Sequence, residues 1–137
     1  MNEKKGQLKI SFGMIFSIIL IIAFFGFAFF GIQKFMDYQK SIQEKQFFSN
    51  LKQDVNQVWQ STQGSNRFNL TVPRDVTQVC FTPDPTENVY FYTDRATPGD
   101  YVDHLNITSE ICINVEKQRA SILLEKNYGD RRVTVSR

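Results

Sequence analysis

Charge is missing from residues 10–32, and this absence constrains the chain more than any motif it contains. A run of that length, rich in Ile and Phe, reaches across the roughly 30 Å hydrocarbon core of a bilayer when helical. A buried helix of a soluble protein does not fit, because a 137-residue chain is too small to surround a helix that is apolar on all sides. A cleaved secretory signal has a shorter apolar stretch, about 7 to 15 residues, and a small-x-small cleavage site, whereas this run ends in Phe29-Phe30-Gly31-Ile32. The segment reads as a membrane-spanning helix.

Catalytic equipment is also scarce. His104 is the only histidine, and with Asp100 and Asp103 it makes three metal-capable groups in one loop, but no second His or free Cys completes a zinc set and the oxygen spacing fits no calcium loop. A solvated turn is the simpler account of that stretch. No serine sits in a Gly-x-Ser-x-Gly elbow, and no glycine loop of the phosphate-binding kind exists. Asp84 and Glu87 pair two carboxylates in a Pro-rich turn, where solvation explains them. The expectation is a protein that is not an enzyme, with no catalytic residue, no metal and no cofactor.

No basic cluster marks a nucleic-acid surface either. From Gly64 onward nine Lys and Arg stand against ten Asp and Glu, and Arg131-Arg132 is an isolated pair in a turn. Around the span, Lys4, Lys5 and Lys9 precede it against Glu3, while Lys34 and Lys40 follow it against Asp37, a modest positive-inside bias.

Cysteine occurs twice, at Cys80 and Cys112, both in strand-like runs beyond the span. A lone pair in a small exported domain reads as a disulfide worth roughly 3 to 4 kcal/mol, two buried free thiols being the alternative. Asn69-Leu70-Thr71 and Asn106-Ile107-Thr108 are candidate N-glycosylation acceptors. Together these features favour a C-terminal domain outside the cytoplasm.

Gly and Pro are absent from residues 33–63, and apolar side chains fall there at Phe35, Tyr38, Ile42, Phe48, Leu51, Val55, Val58 and Trp59. That spacing makes a stripe on a helix, so the pattern predicts one helix from about Lys9 to Gln63, roughly 80 Å long at 1.5 Å per residue. Gly26 and Gly31 are the expected places for a bend, and Gly64, as a left-handed residue in Gln63-Gly64-Ser65-Asn66, is the expected stop. The stripe packs either on the chain's own β domain or on identical helices of other subunits, and spacing alone does not choose. Within the span, Gly13 and Ser17 form one small-xxx-small pair suited to close helix packing.

Beyond the helix, short β-branched and aromatic runs alternate with turns, and strands are expected at 67–72, 76–81, 88–93, 110–116, 120–126 and 132–136. Phe68, Leu70 and Val72 share a face, as do Ile111, Ile113 and Val115, then Ile122 and Leu124, then Val133 and Val135. An antiparallel sheet follows, its last three strands a meander. Tyr90, Tyr92 and Tyr101 are read as the second face of its packing. The fold class is α+β, with residues 7–32 transmembrane, 33–64 an amphipathic continuation and 65–137 a small β domain laid on it.

Lys4-Lys5-Gly6-Gln7 ahead of a span that opens a long helix resembles the class III signal peptide, the type IV pilin-like leader of archaeal pilins and archaellins. The resemblance implies a leader of residues 1–6, cut between Gly6 and Gln7 by a prepilin peptidase at the cytoplasmic face, with the span kept in the mature subunit. It also implies a pilin-like plan, self-association or assembly with other pilin-like subunits, and a cell-surface location with the N-terminus cytoplasmic. One position departs: where many type IV pilins carry a Glu, fifth in the mature chain, this sequence has Ser11. The other reading is an uncut single-pass protein that displays a disulfide-linked β domain as a binding or accessory module of the cell envelope.

Overall fold

The computed structural model describes residues 11–137, and these fall into two compact units, one ending at Gln39 and the other Lys40–Arg137. One helix, α1 (Phe12–Gln60), runs through both. Ser11 is its N-cap: the Ser11 carbonyl accepts from the Met14 and Ile15 N–H groups at 2.9 and 3.3 Å, and its hydroxyl accepts from Met14 N–H at 3.3 Å. The described helix opens at Phe12; Lys9, where the sequence pattern placed its start, lies outside the described residues. It stays helical through Gly26 and Gly31.

Seven strands follow: β1 (Gly64–Thr71), β2 (Gln78–Phe81), β3 (Val89–Tyr92), β4 (Leu105–Asn106), β5 (Ile111–Asn114), β6 (Arg119–Lys126) and β7 (Val133–Ser136). They form two sheets, β1-β6-β7-β4 and β3-β2-β5. Six strands match the expected runs; β4, two residues long, carried no alternation for the sequence to announce. The single antiparallel sheet is corrected to two, and β4 pairs with β7 in parallel.

The expected meander holds for its last pair only. β6 and β7 are antiparallel neighbours, but β5 gives its ladder to β2 and meets β6 only at the hairpin mouth, where Glu116 and Arg119 exchange backbone hydrogen bonds of 2.9 and 3.0 Å. The two intervening residues, Lys117 and Gln118, have φ of 49° and 60°, the type I′ geometry whose twist suits a tight hairpin. From that turn the two strands diverge into different sheets.

The last part of α1 seals the domain. Phe47, Leu51, Val55 and Val58, spaced 4, 4 and 3, are buried in one core with Phe81, Phe91, Ile122, Leu124 and Val133. Each such side chain stabilises the domain by roughly 1.5 to 3 kcal/mol. Phe47 and Phe91 meet edge to face with centroids 5.0 Å apart. Of the two choices left open by the stripe, its C-terminal half takes the chain's own β domain. Phe47 belongs to that face although the periodicity passed over it, and Phe48 is only half-buried. Phe35, Tyr38 and Ile42 are exposed, so the buried face begins later than the stripe.

The helix ends at Gln60, and Gly64 opens β1 opposite Lys126 instead of serving as a left-handed stop. With no basic residue in its last turn, α1 borrows one from β6. Lys126 Nζ donates to the carbonyls of Trp59 and Ser61 at 2.6 and 2.9 Å, satisfying acceptors the helix leaves over.

Candidate functional site

The first part of α1 is the feature with the plainest physical role. From Phe12 to Ile32 its side chains are exposed and none carries a charge, making it one helix long and apolar enough to cross a membrane. Its few polar atoms are satisfied within the helix, as a hydrocarbon setting demands. Ser17 hydroxyl donates to the Gly13 carbonyl at 2.8 Å, so the two members of the small-xxx-small pair are joined to each other. Where the apolar run ends, Lys34 places its ammonium 5.6 Å from the centre of the Phe30 ring.

Lys4, Lys5, Gly6 and Gln7 lie outside the described residues. Ser11, the departure from the pilin-like pattern, is the N-cap of α1, a role the sequence pattern hid because Ser11 lies within the uncharged run that begins at residue 10.

In the domain, Cys80 and Cys112 are bonded to each other. They are directly opposed on β2 and β5 with Cα atoms 4.1 Å apart. Val115 N–H donates to Thr77 carbonyl in the same ladder, which places Cys80 and Cys112 in a non-hydrogen-bonded pair, where opposed side chains lie closest. The next such pair toward the hairpin is Gln78 and Asn114, whose side-chain amides bond at 2.9 Å.

Tyr90, opposite Cys80 on β3, donates its hydroxyl to the Glu110 carboxylate. That hydrogen bond, then burial and the nearby negative charge, push the Tyr90 phenol up to about 12. Tyr90 is half-buried, whereas Tyr92 and Tyr101 are exposed, so only the first behaves as packed surface. Glu110 also lies within 4.8 Å of both sulfurs, but the sulfurs are bonded to each other and have no thiolate to offer a metal.

The loop around His104 is not the solvated turn expected of it. His104 is half-buried, has φ of 69°, and stacks on Trp59 with ring centroids 3.8 Å apart and planes 13° from parallel. Its carbonyl accepts the Val133 N–H at 2.7 Å, starting the parallel β4–β7 pairing, while Trp59 Nε1 donates to the Arg131 carbonyl at 3.1 Å. Asp100 is drawn to Lys52, at 2.7 Å, and accepts the Tyr101 N–H at 2.8 Å; the Lys52 bond chiefly holds its carboxyl below the usual range. Lys52, Gln53, Asn56, Val102, Asp103 and His104 line a shallow groove of about 340 Å³.

Asp84 and Glu87 are likewise spoken for, and by different partners. Asp84 Oδ1 accepts the Thr86 hydroxyl and N–H, both at 2.7 Å, and the Glu87 N–H at 3.1 Å. The Thr86 hydroxyl, followed by the two amides, lowers its pKa. Glu87 accepts the Gly99 N–H. Both carboxylates hold turns in shape.

Asn69 on β1 and Asn106 on β4 are exposed. Set against protein-family models, curated proteins and solved structures, the chain matches none.

Proposed function

We propose that this chain is a pilin-like, membrane-anchored structural subunit of a surface filament or secretion-type assembly. In this reading a prepilin-type peptidase cuts between Gly6 and Gln7 at the cytoplasmic face, the β domain lies outside the cell, and the subunit joins copies of itself or other pilin-like subunits. Its role is structural rather than catalytic. The observation that carries the reading is a single helix whose first part is uncharged and exposed along its length and whose last part is the seat of a small disulfide-bonded β domain. The apolar part demands a cover of lipid or of other apolar helices, and Gly13 and Ser17 suit close helix packing.

Ser11 favours the second reading. At the position where the resemblance places a carboxylate, this side chain caps its own helix and offers no charge to a neighbouring subunit's amine. An uncut anchor displaying the domain to another envelope protein would need no such charge.

N-terminal sequencing and intact mass of the chain from its native membranes separate the two. A chain beginning at Gln7 that becomes full-length in Gly6→Leu is the expected result. A wild-type chain beginning at Met1 or Asn2 would discard the pilin-like reading.

A further inference from the structure

The four-stranded sheet has the order β1-β6-β7-β4, so β1 and β4 are its two edges. Each edge carries one Asn-x-Thr triplet, with Asn69 on β1 and Asn106 on β4. Both asparagines point to the same side. Leu70, Leu105, Ile122, Leu124, Val133 and Val135 are buried in the core, and the residues alternating with them face outward. Asn69 is opposite Ser121, Glu125 is opposite Thr134, and Thr134 is opposite Asn106. Four residues along β6 and three strand spacings across therefore separate the asparagines. They stand about 20 Å apart at diagonal corners of the outer face.

That face is polar apart from Leu123, and β1 is its vulnerable side. Its eight residues pair with β6 without a bulge from Gly64 opposite Lys126 to Thr71 opposite Arg119. It contains neither Pro nor Lys, and Arg67 is its one charge. A long unbulged edge of this kind is a template for strand addition by another chain, and short strands, bulges, Pro or Lys are the usual protections. β4, two residues long, is protected by its shortness.

We propose that Asn69 and Asn106 both carry N-linked glycans, and that the glycan on Asn69 closes the β1 edge to pairing with a second copy of this chain. Thr71 and Thr108, which complete the triplets, are exposed. In the transfer, the asparagine Nδ2 bonds the anomeric carbon of the first sugar. The bond from that carbon to the phosphate of a lipid-linked oligosaccharide breaks, Nδ2 gives up one proton, and the phosphate leaves with the bonding electrons. The inference rests on the proposed function only for the domain's place outside the cytoplasm.

The test uses the full chain purified in detergent from its native membranes. Peptide mass spectrometry reads Asn69 and Asn106, alkylation without reductant reads the cysteines, and sedimentation reads self-association. Glycan mass on both asparagines with Cys80 and Cys112 oxidised is the expected result. Either asparagine unmodified beside an oxidised pair overturns the glycan inference and leaves the location standing, whereas unmodified asparagines with alkylated thiols overturn both. Thr71→Ala and, separately, Asn69→Gln are expected to lose the first glycan and raise the sedimenting fraction several-fold. Thr108→Ala loses the second glycan with no such rise. Unchanged sedimentation of both β1 variants would overturn the guarding role.

Discussion

At the scale of single residues, two positions show how little room the domain leaves. Gly99 lies so close to β3 that a Cβ there would stand 1.9 Å from the Val89 carbonyl oxygen and 2.7 Å from the Tyr90 Cα. Backbone cannot give way as a side-chain tip can, so Gly99→Ala is expected to cost about 2 to 3 kcal/mol or more, read by urea unfolding of the full chain in detergent. Tyr90 makes a different prediction. Its phenol stays protonated to about 12 because the hydroxyl is donated to Glu110. Raised above the unfolded value of 10.0, it contributes stability that is complete below pH 10 and is lost as pH rises toward 12. In an ultraviolet titration the Tyr90 phenol should ionise well above its ordinary value, and Glu110→Gln should bring it forward.

At the scale of elements, the β5–β6 hairpin carries a removable cost. Lys117 and Gln118 hold φ of 49° and 60°, a region that Asn and Gly enter more readily. The double variant Lys117→Asn, Gln118→Gly is expected to raise the unfolding free energy by about 0.5 to 1 kcal/mol, with an unchanged denaturant slope. Helix α1 shows how an element is finished by parts far away in sequence. Its N-terminus is capped by its own Ser11, whereas its last carbonyls are satisfied by Lys126 on β6 and its final aromatic, Trp59, is held by His104 and Arg131. The first cap is local, closed between Ser11 and Met14. The second depends on which strand passes beneath the helix end, and no local pattern encodes that.

At the scale of the whole molecule, one unit has no core among its described residues and the other has one that is small. The unit ending at Gln39 buries none of its described side chains, while Lys40–Arg137 gathers four helix residues and two sheets round one cluster. A domain of this size is marginal, and the bond between Cys80 and Cys112, 32 residues apart, contributes to its stability on the order of 3 to 4 kcal/mol. Reduction should therefore lower the urea midpoint of the domain markedly and leave the far-ultraviolet signal of the apolar helix in place. Loss of both signals together would show that the span and the domain unfold as one.

The long apolar helix, the α+β class, the helix leading into a β domain and the core faces of the strands were legible in the sequence, because each follows from local periodicity and from the cost of exposing or burying apolar groups. Phe68-Leu70-Val72 and Val133-Val135 announce their faces through a period of two, and residues 10–32 announce a helix apolar enough to cross a membrane through missing charge. The pairing of Cys80 with Cys112 was suggested by their count, but only the β2–β5 register opposes them. Strand order is of the same kind. The division into two sheets, the parallel β4, the late start of the buried helix face at Phe47 and the Trp59–His104 stack all arise from contacts between residues distant in sequence. Such contacts are chosen by how the volumes of all the elements fill one core, a condition that no single segment of the chain contains.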